Sequence, residues 1–373
     1  MLKKIIYEAY CNEIANDKFG SKLSNKNNLY NDILYFKNYK VTNLSKKNFY
    51  VFLLMTKIHK KLWLLSILYF TIQFIISIFI FKKINKNFKN VAFINANKSL
   101  YDISLININN VEYLNKNFYN FSCYSSFYDK MIAYILVYKV IFLIIKNKNS
   151  LSNIEYNSLK FHIYDLYLLC LFSLILKSKE INFYTNSHYD RWVYITSKFK
   201  NINLHIIQHG FLTKEINFPF KFGNISILHI YDKKFIDLFK FHFSSIKTVN
   251  YIKPGFKLKQ TNTNTANKSI FIASSMISIN LEKDIINWLL SKNRYKIYIK
   301  LHPAYNYRNE FIEYENKIEF IDYFPKVDYM ISYNSFLGYE YKALGEKVLW
   351  IKNYENKLND LYKELEFENT CVE

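Results

Sequence analysis

Glycine and proline are scarce, at 6 and 4 residues in a chain of 373. With so few glycines, no glycine-rich phosphate loop follows the first strand-like segment. The four cysteines, Cys11, Cys123, Cys170 and Cys371, stand far apart. That spacing excludes a CxxC redox or metal motif and a disulfide framework, and fits a reducing, cytoplasmic setting. The chain has no zinc-finger spacing, no arginine-rich helix and no aromatic motif of the RNA-binding kind. Nucleic acid is therefore not an expected partner, despite a net charge of +21. No DxD motif appears. "MLKKIIYEAYCNEIANDKFG" (1–20) has no long apolar core after its basic start, so no secretory signal is expected there.

Half of the residues are hydrophobic, which excludes a disordered chain, and the length suits two domains. Tyr (34) and Phe (33) are abundant, together with Lys, Asn and Ile. An AT-rich coding sequence favours this set, so the aromatic content alone does not indicate base stacking. The lysine excess would draw anionic lipid or phosphorylated ligands.

Residues 62–81, "LWLLSILYFTIQFIISIFIF", form a run without charge between lysine-rich flanks. Its length allows a helix that enters or lies on a membrane, a spanning helix or a buried one; the first is favoured here. Two further apolar stretches, 131–145 and 163–176, have the length of core helices.

From residue 90 the pattern alternates. Strands are expected at 90–96, 181–186, 203–210, 225–231 and 248–256, with helices at 131–145, 157–176, 190–199 and 233–243. A polar segment, 257–269, reads as a linker. Alternation then resumes, with strands at 270–275, 296–303, 319–322, 329–335 and 347–351 and helices at 281–292, 308–317 and 336–345. This predicts an α/β fold of two Rossmann-like domains. The expected division is 1–89 (N-terminal helical region), 90–256 (first domain), 257–269 (linker) and 270–373 (second domain).

Ligands of open α/β sheets bind beyond the carboxyl ends of the strands, and several polar residues stand there. Ser274 and Ser275 end one strand. His302 ends another, before Pro303. Asn334 and Ser335 end a third and lead into a helix through Gly338, and a helix N-terminus favours phosphate. Glu340, one turn further on, could reach ribose hydroxyls. Taken singly, Ser335 is equally a helix cap, His302 a structural histidine and Glu340 a solvated helix residue. "IIQHGF" (206–211) ends a strand at Gln208, His209 and Gly210, with the glycine allowing the turn.

"KLHP" followed by "DYMISYNSFLGYEYKALGEKVLWI" resembles the carboxyl-terminal half of GT-B glycosyltransferases that build bacterial surface polysaccharides. This group includes capsule polymerases, sialyl- and Kdo-transferases and teichoic-acid glycerophosphotransferases. "TNSHYDRWVYITSKFKNINLHIIQHG" is similar to their amino-terminal half. The resemblance covers about 180–350. It implies two Rossmann-like domains facing a cleft, with a nucleotide-sugar donor on the second and a glycan or lipid-linked glycan acceptor on the first. It carries donor contacts onto His302 and Ser335, and less directly onto Ser274, Ser275 and Glu340. Gln208, His209 and Gly210 would face the cleft.

Transfer needs a base for the acceptor hydroxyl. Asp190 and His188 are the first candidates, with His209 beside the cleft, and Asp102 and Glu215 are weaker ones. Asp190 could equally be a helix cap. The expected activity is metal-independent glycosyl transfer for capsule or lipopolysaccharide synthesis at the inner face of the cell membrane. A CMP-linked donor is the first choice. The alternatives are a CDP-polyol phosphotransferase and a non-catalytic basic protein of the membrane surface.

Overall fold

A computed structural model of the chain describes residues 1–26, 62–80, 89–94, 97–116, 118–147, 165–177, 179–209, 214–261, 268–275, 278–302, 307–333, 335–354 and 357–367. The fold is α/β with parallel sheets. The described residues divide into two compact units, the first running to Ile252 and the second beginning at Lys253. Among them, no helix is long and apolar enough to cross a membrane.

The first unit opens with α1 (Leu2–Lys26) and α2 (Leu62–Phe79). Its sheet contains β1 (Asn90–Ile94), β2 (Val111–Asn115), β3 (Ile181–Thr185), β4 (Ile202–Ile207), β5 (Phe222–Ile230) and β6 (Phe243–Tyr251). The helices between them are α3 (Asn97–Ser104), α4 (Phe118–Tyr124), α5 (Phe127–Lys146), α6 (Leu166–Lys177), α7 (Arg191–Lys198) and α8 (Phe235–His242). The six strands lie in the order β2-β1-β3-β4-β5-β6 and every pairing is parallel. A parallel sheet needs both faces covered, which is why β3 and β4 are mostly buried. Phe93, Phe121, Phe172, Phe183 and Trp192 form the heart of the core, with ring centroids 5.0 to 5.8 Å apart.

The sequence reading set residues 1–89 apart, but α1 is tied to α7 by polar contacts. Glu13 Oε2 accepts the Arg191 backbone N–H at 2.9 Å, and Glu8 Oε2 accepts the Tyr194 hydroxyl at 2.8 Å. Arg191, almost fully buried, also pairs with Asp165 and with Glu13 Oε1 at 3.2 Å. Unpaired, that guanidinium would be strongly destabilising here. The close approach of α7 to β5 requires Gly223, where a Cβ would stand 1.9 Å from the Ser197 carbonyl oxygen.

The second unit contains β7 (Lys259–Gln260), β8 (Lys268–Ala273), α9 (Ile279–Ser291), β9 (Tyr295–Lys300), β10 (Glu319–Phe320), β11 (Pro325–Lys326), β12 (Tyr329–Ser332), α10 (Phe336–Ala343), β13 (Val348–Trp350) and α11 (Leu358–Phe367). Five strands form one sheet in the order β10-β9-β8-β12-β13, and β7 pairs with β11 in a small ribbon. Ile270, Ile272, Ile299 and Ile331 fill its core from the strands, with Ile285 and Leu289 from α9. Residues 308–314, expected as an α-helix, form a 3-10 helix kinked at Phe311.

Candidate functional site

In the first unit the chain leaves β1 for β2 on one side and then returns to β3 on the other. Between β1 and β3 lies the topological switch point, where open α/β sheets bind ligands. Ala92 is in register with Tyr184, and Thr185 with Ile206, so β1, β3 and β4 end side by side. Each end delivers polar side chains to the same place. α3, which follows β1, contributes Ser99 and Asp102, three residues apart and therefore on one helix face. β3 is followed by Asn186 and His188, and β4 by Gln208 and His209.

These residues form a chain of contacts. Ser99 Oγ donates to Asn186 Oδ1 at 2.8 Å, and Asn186 Nδ2 donates to Asp102 Oδ2 at 2.7 Å. The same oxygen stands 3.0 Å from His209 Nδ1, although at an angle poor for a hydrogen bond. Asp102 is buried, while the His209 side chain is 37% exposed. His188 is buried and its pKa is pushed down to about 4, first by burial and then by the nearby His209. Its Nε2 accepts the His209 backbone N–H at 2.9 Å. The Ile207 carbonyl oxygen also lies 3.3 Å from that nitrogen. Two acceptors cannot share one contact, so the shorter decides the tautomer, and the neutral ring carries its proton on Nδ1. His188 therefore holds the backbone of His209.

Gln208 is fully buried. Its Oε1 accepts the Tyr231 backbone N–H at 3.2 Å, and its Nε2 has no hydrogen-bond partner among the described residues. Asp190 caps α7, with Oδ1 accepting the Val193 N–H at 2.9 Å, and burial raises its pKa. This is the capping alternative for Asp190; it engages Oδ1 and leaves Oδ2 buried. Glu215 is exposed. Gly210 lies outside the described residues.

The second unit has the strand order 3-2-1-4-5 when its main strands are renumbered from β8. The switch point lies between β8 and β12. Ala273 is in register with Lys300 on one side and Ser332 on the other. Ser274 and Ser275, then His302, then Ser335 thus leave the sheet along the same edge. Ser335 is the N-cap of α10, its Oγ accepting the Leu337 N–H at 3.3 Å. The Ser335 N–H in turn donates to Ser332 Oγ at 3.0 Å. The Tyr307 hydroxyl accepts the His302 N–H at 3.1 Å and fixes the end of β9. Glu340 is buried one turn into α10. Gly338 has a packing explanation, because a Cβ there would stand 2.5 Å from the Trp350 ring. Pro303 and Asn334 lie outside the described residues.

Ser274 and Ser275 converge on a residue that the sequence reading missed. Glu282 of α9 is fully buried, with Oε2 accepting Ser274 Oγ at 2.5 Å. Oε1 accepts the Ser275 N–H at 2.9 Å and Ser278 Oγ at 2.6 Å. Burial raises its pKa to about 7 against the pull of these donors. A carboxyl about half protonated near pH 7 repels a neighbouring phosphate less than a full carboxylate would. Ser99 and Asn186 were missed as well. The spacing Ser99-x-x-Asp102 directly after a strand was the available signal for Ser99; Asn186 carried none.

Among the described residues no group of acidic, histidine and cysteine side chains is arranged to hold a metal ion. Comparison with protein-family models, with curated proteins and with solved structures returns no match.

Proposed function

We propose that the protein is a glycosyltransferase that moves a sugar from a nucleotide-activated donor to a cell-surface glycan acceptor. The observation that carries this reading is the edge of the second sheet. Ser274, Ser275, His302 and the Ser335-capped start of α10 lie there along the switch point of a 3-2-1-4-5 order. The positive start of α10 and the hydroxyls of Ser275 and Ser335 in that position suit the phosphates of a nucleotide, while the Ser274 hydroxyl and the Ser275 N–H are taken up by Glu282. In transfer they would hold the charge of the departing phosphate. Glu340 is assigned to the ribose. The GT-B arrangement of two Rossmann-like domains is part of the proposal.

The first unit supplies the base. His209 takes the acceptor hydroxyl's proton on Nε2, and Asp102 beside Nδ1 favours the imidazolium that results. His188 and Asn186 act as positioning residues, one on the backbone of His209 and the other on the carboxylate of Asp102. Asp190 has a capping role in this scheme. The chemistry as written calls on no cofactor.

The test is a thermal-shift panel with CMP, CDP, UDP, GDP and AMP, on wild type and His302→Ala. A nucleotide at a hundred times its Kd stabilises by about 2.7 kcal/mol. One nucleotide that stabilises wild type and not the variant supports the donor site and names its class. A response to CDP alone favours a polyol-phosphate donor over a CMP-linked sugar. No shift with any nucleotide, on folded protein, overturns the reading.

A further inference from the structure

The helix pair α2 and α5 has apolar surface that the first unit leaves uncovered. One face of α2 is buried through Phe70, Gln73 and Ser77. Phe74 stacks on Tyr134 of α5 at 4.6 Å, and Ser77 Oγ meets the Tyr167 hydroxyl of α6 at 2.8 Å. Lys130 of α5, itself buried, donates through Nζ to the Ser77 and Ile80 carbonyl oxygens at 2.7 and 2.9 Å. A cation on the unsatisfied carbonyls of a helix end opposes the negative end of its dipole. The carboxyl end of α2 is therefore pinned alongside α5, an arrangement suited to a helix lying on a surface.

The other face of α2 carries Ile72, Ile75, Ile76 and Phe79, a stripe at helical spacing. The three isoleucines are 45 to 49% exposed and the phenylalanine 76%. Exposed residues of α5 form a second stripe: Tyr128, Met131, Ile135 and Phe142. The sequence reading took this helix for core. Lys139 and Lys146 lie exposed on the same stripe of α5. In the sequence, Lys60 and Lys61 directly precede α2, and Lys82 and Lys83 follow soon after it.

We propose that the exposed stripes of α2 and α5 dock the protein on an anionic lipid bilayer. The isoleucines and phenylalanines enter the boundary between headgroups and acyl chains, while Lys139 and Lys146 bind the headgroups. Charge complementarity selects this occupant. A bare protein partner would need only the apolar stripe, whereas Lys139 and Lys146 set along it match a surface that is apolar below and anionic above. The stripes are where amphipathic interfacial helices place their apolar side chains, and Lys139 can extend its stem along the apolar surface with its charge outward. The proposal stands apart from the transfer reading, since nucleotide binding bears on neither stripe.

The experiment is flotation of the full chain with vesicles of phosphatidylglycerol mixed with phosphatidylcholine, and with vesicles of phosphatidylcholine alone. Wild type is expected to float with the anionic vesicles and much less with the neutral ones. Ile72→Asp/Ile76→Asp and Phe142→Asp should each lower the bound fraction by about tenfold or more. Phe241→Asp and Ile312→Asp, at exposed apolar positions elsewhere, should bind like wild type. All these positions are exposed, and melting curves matched to wild type establish folding. Wild type that fails to float, or stripe variants that float undiminished, overturns the proposal. Variants that change self-association in gel filtration and leave flotation unchanged also overturn it, in favour of a second copy of the chain.

Discussion

Asp102 Oδ2 stands 3.0 Å from His209 Nδ1 and also accepts Asn186 Nδ2 at 2.7 Å. A buried carboxylate is tolerable only with such partners, because desolvation disfavours its charge. The three residues follow three different strands, so the pairing exists only once β1, β3 and β4 lie side by side. It resembles the way an acid orients an imidazole that must accept a proton on its other nitrogen.

Asp102→Asn tests the pair directly. It keeps the shape and an oxygen for Asn186, but removes the charge beside His209. With the donor class selected by the nucleotide panel, kcat is expected to fall by about 10²–10⁴, the usual worth of general-base assistance. The melting temperature and the nucleotide Kd should stay near wild type. Full turnover in this variant would remove His209 as the base.

The strands were legible in the sequence wherever burial made a short, mainly apolar run. β3, β4, β8 and β9 are of that kind, and the alternation with helices pointed to parallel sheets. β2 was missed because it lies at the sheet edge. Glu112 and Tyr113 in it are exposed, so it has no apolar run. His209 and Ser335 could be found because each stands at the end of such a strand. Glu282 could not, because it sits in an ordinary amphipathic helix pattern and its burial depends on Ser274 from another element. Asp190 and Ser335 show the limit of position alone. Both proved to be helix caps, and the sequence could not separate a cap from a ligand contact.

Acidification should weaken the first unit. His188, His205 and His229 are all buried, and burial pushes each pKa down to about 4. The unfolded chain takes up these protons near pH 6.5, whereas the folded one does so only near 4. Their stabilising contribution is therefore complete above about pH 6.5 and is lost progressively as pH falls towards 4. For His188 alone the loss is on the order of 3 kcal/mol, at about 1.4 kcal/mol per unit. Hydrogen exchange of the β4 and β5 amides at pH 7 and pH 5 measures it. Equal protection at both values would contradict the buried neutral state.

Glu282 should give the second unit the opposite slope. Its folded pKa of about 7 lies above the ordinary 4.5. Between those values the folded state keeps a proton that the unfolded chain has released. The contribution is complete below about pH 4.5 and is lost as pH rises through 7. Glu282→Gln should flatten the dependence, since the amide does not titrate. Glu282→Ala leaves Ser274, Ser278 and the Ser275 N–H without their acceptor, at a cost of about 2–4 kcal/mol. Urea unfolding followed by exchange of the α9 amides at pH 5 and pH 8 reads the slope. A slope that persists in Glu282→Gln would assign it to another group.

Ser335 has two separable roles. As N-cap of α10 it accepts the Leu337 N–H. In the proposed donor site it also faces phosphate. Ser335→Ala removes both, so it should cost about 1 kcal/mol of stability and weaken nucleotide binding. Ser335→Asp separates them. Aspartate is as good a cap as serine, and its charge favours the positive end of the helix dipole. The fold should therefore be as stable as wild type or slightly more so. The same charge repels a phosphate held at that helix start, so the nucleotide Kd should rise by tenfold or more, at about 1.4 kcal/mol per factor of ten. Calorimetric titration with the nucleotide chosen by the panel, beside a melting curve, gives both numbers from one preparation. If Ser335→Asp binds the nucleotide as tightly as wild type, the phosphates lie away from α10. The serine is then a cap alone, and the donor site must be sought around Ser274 and Ser275.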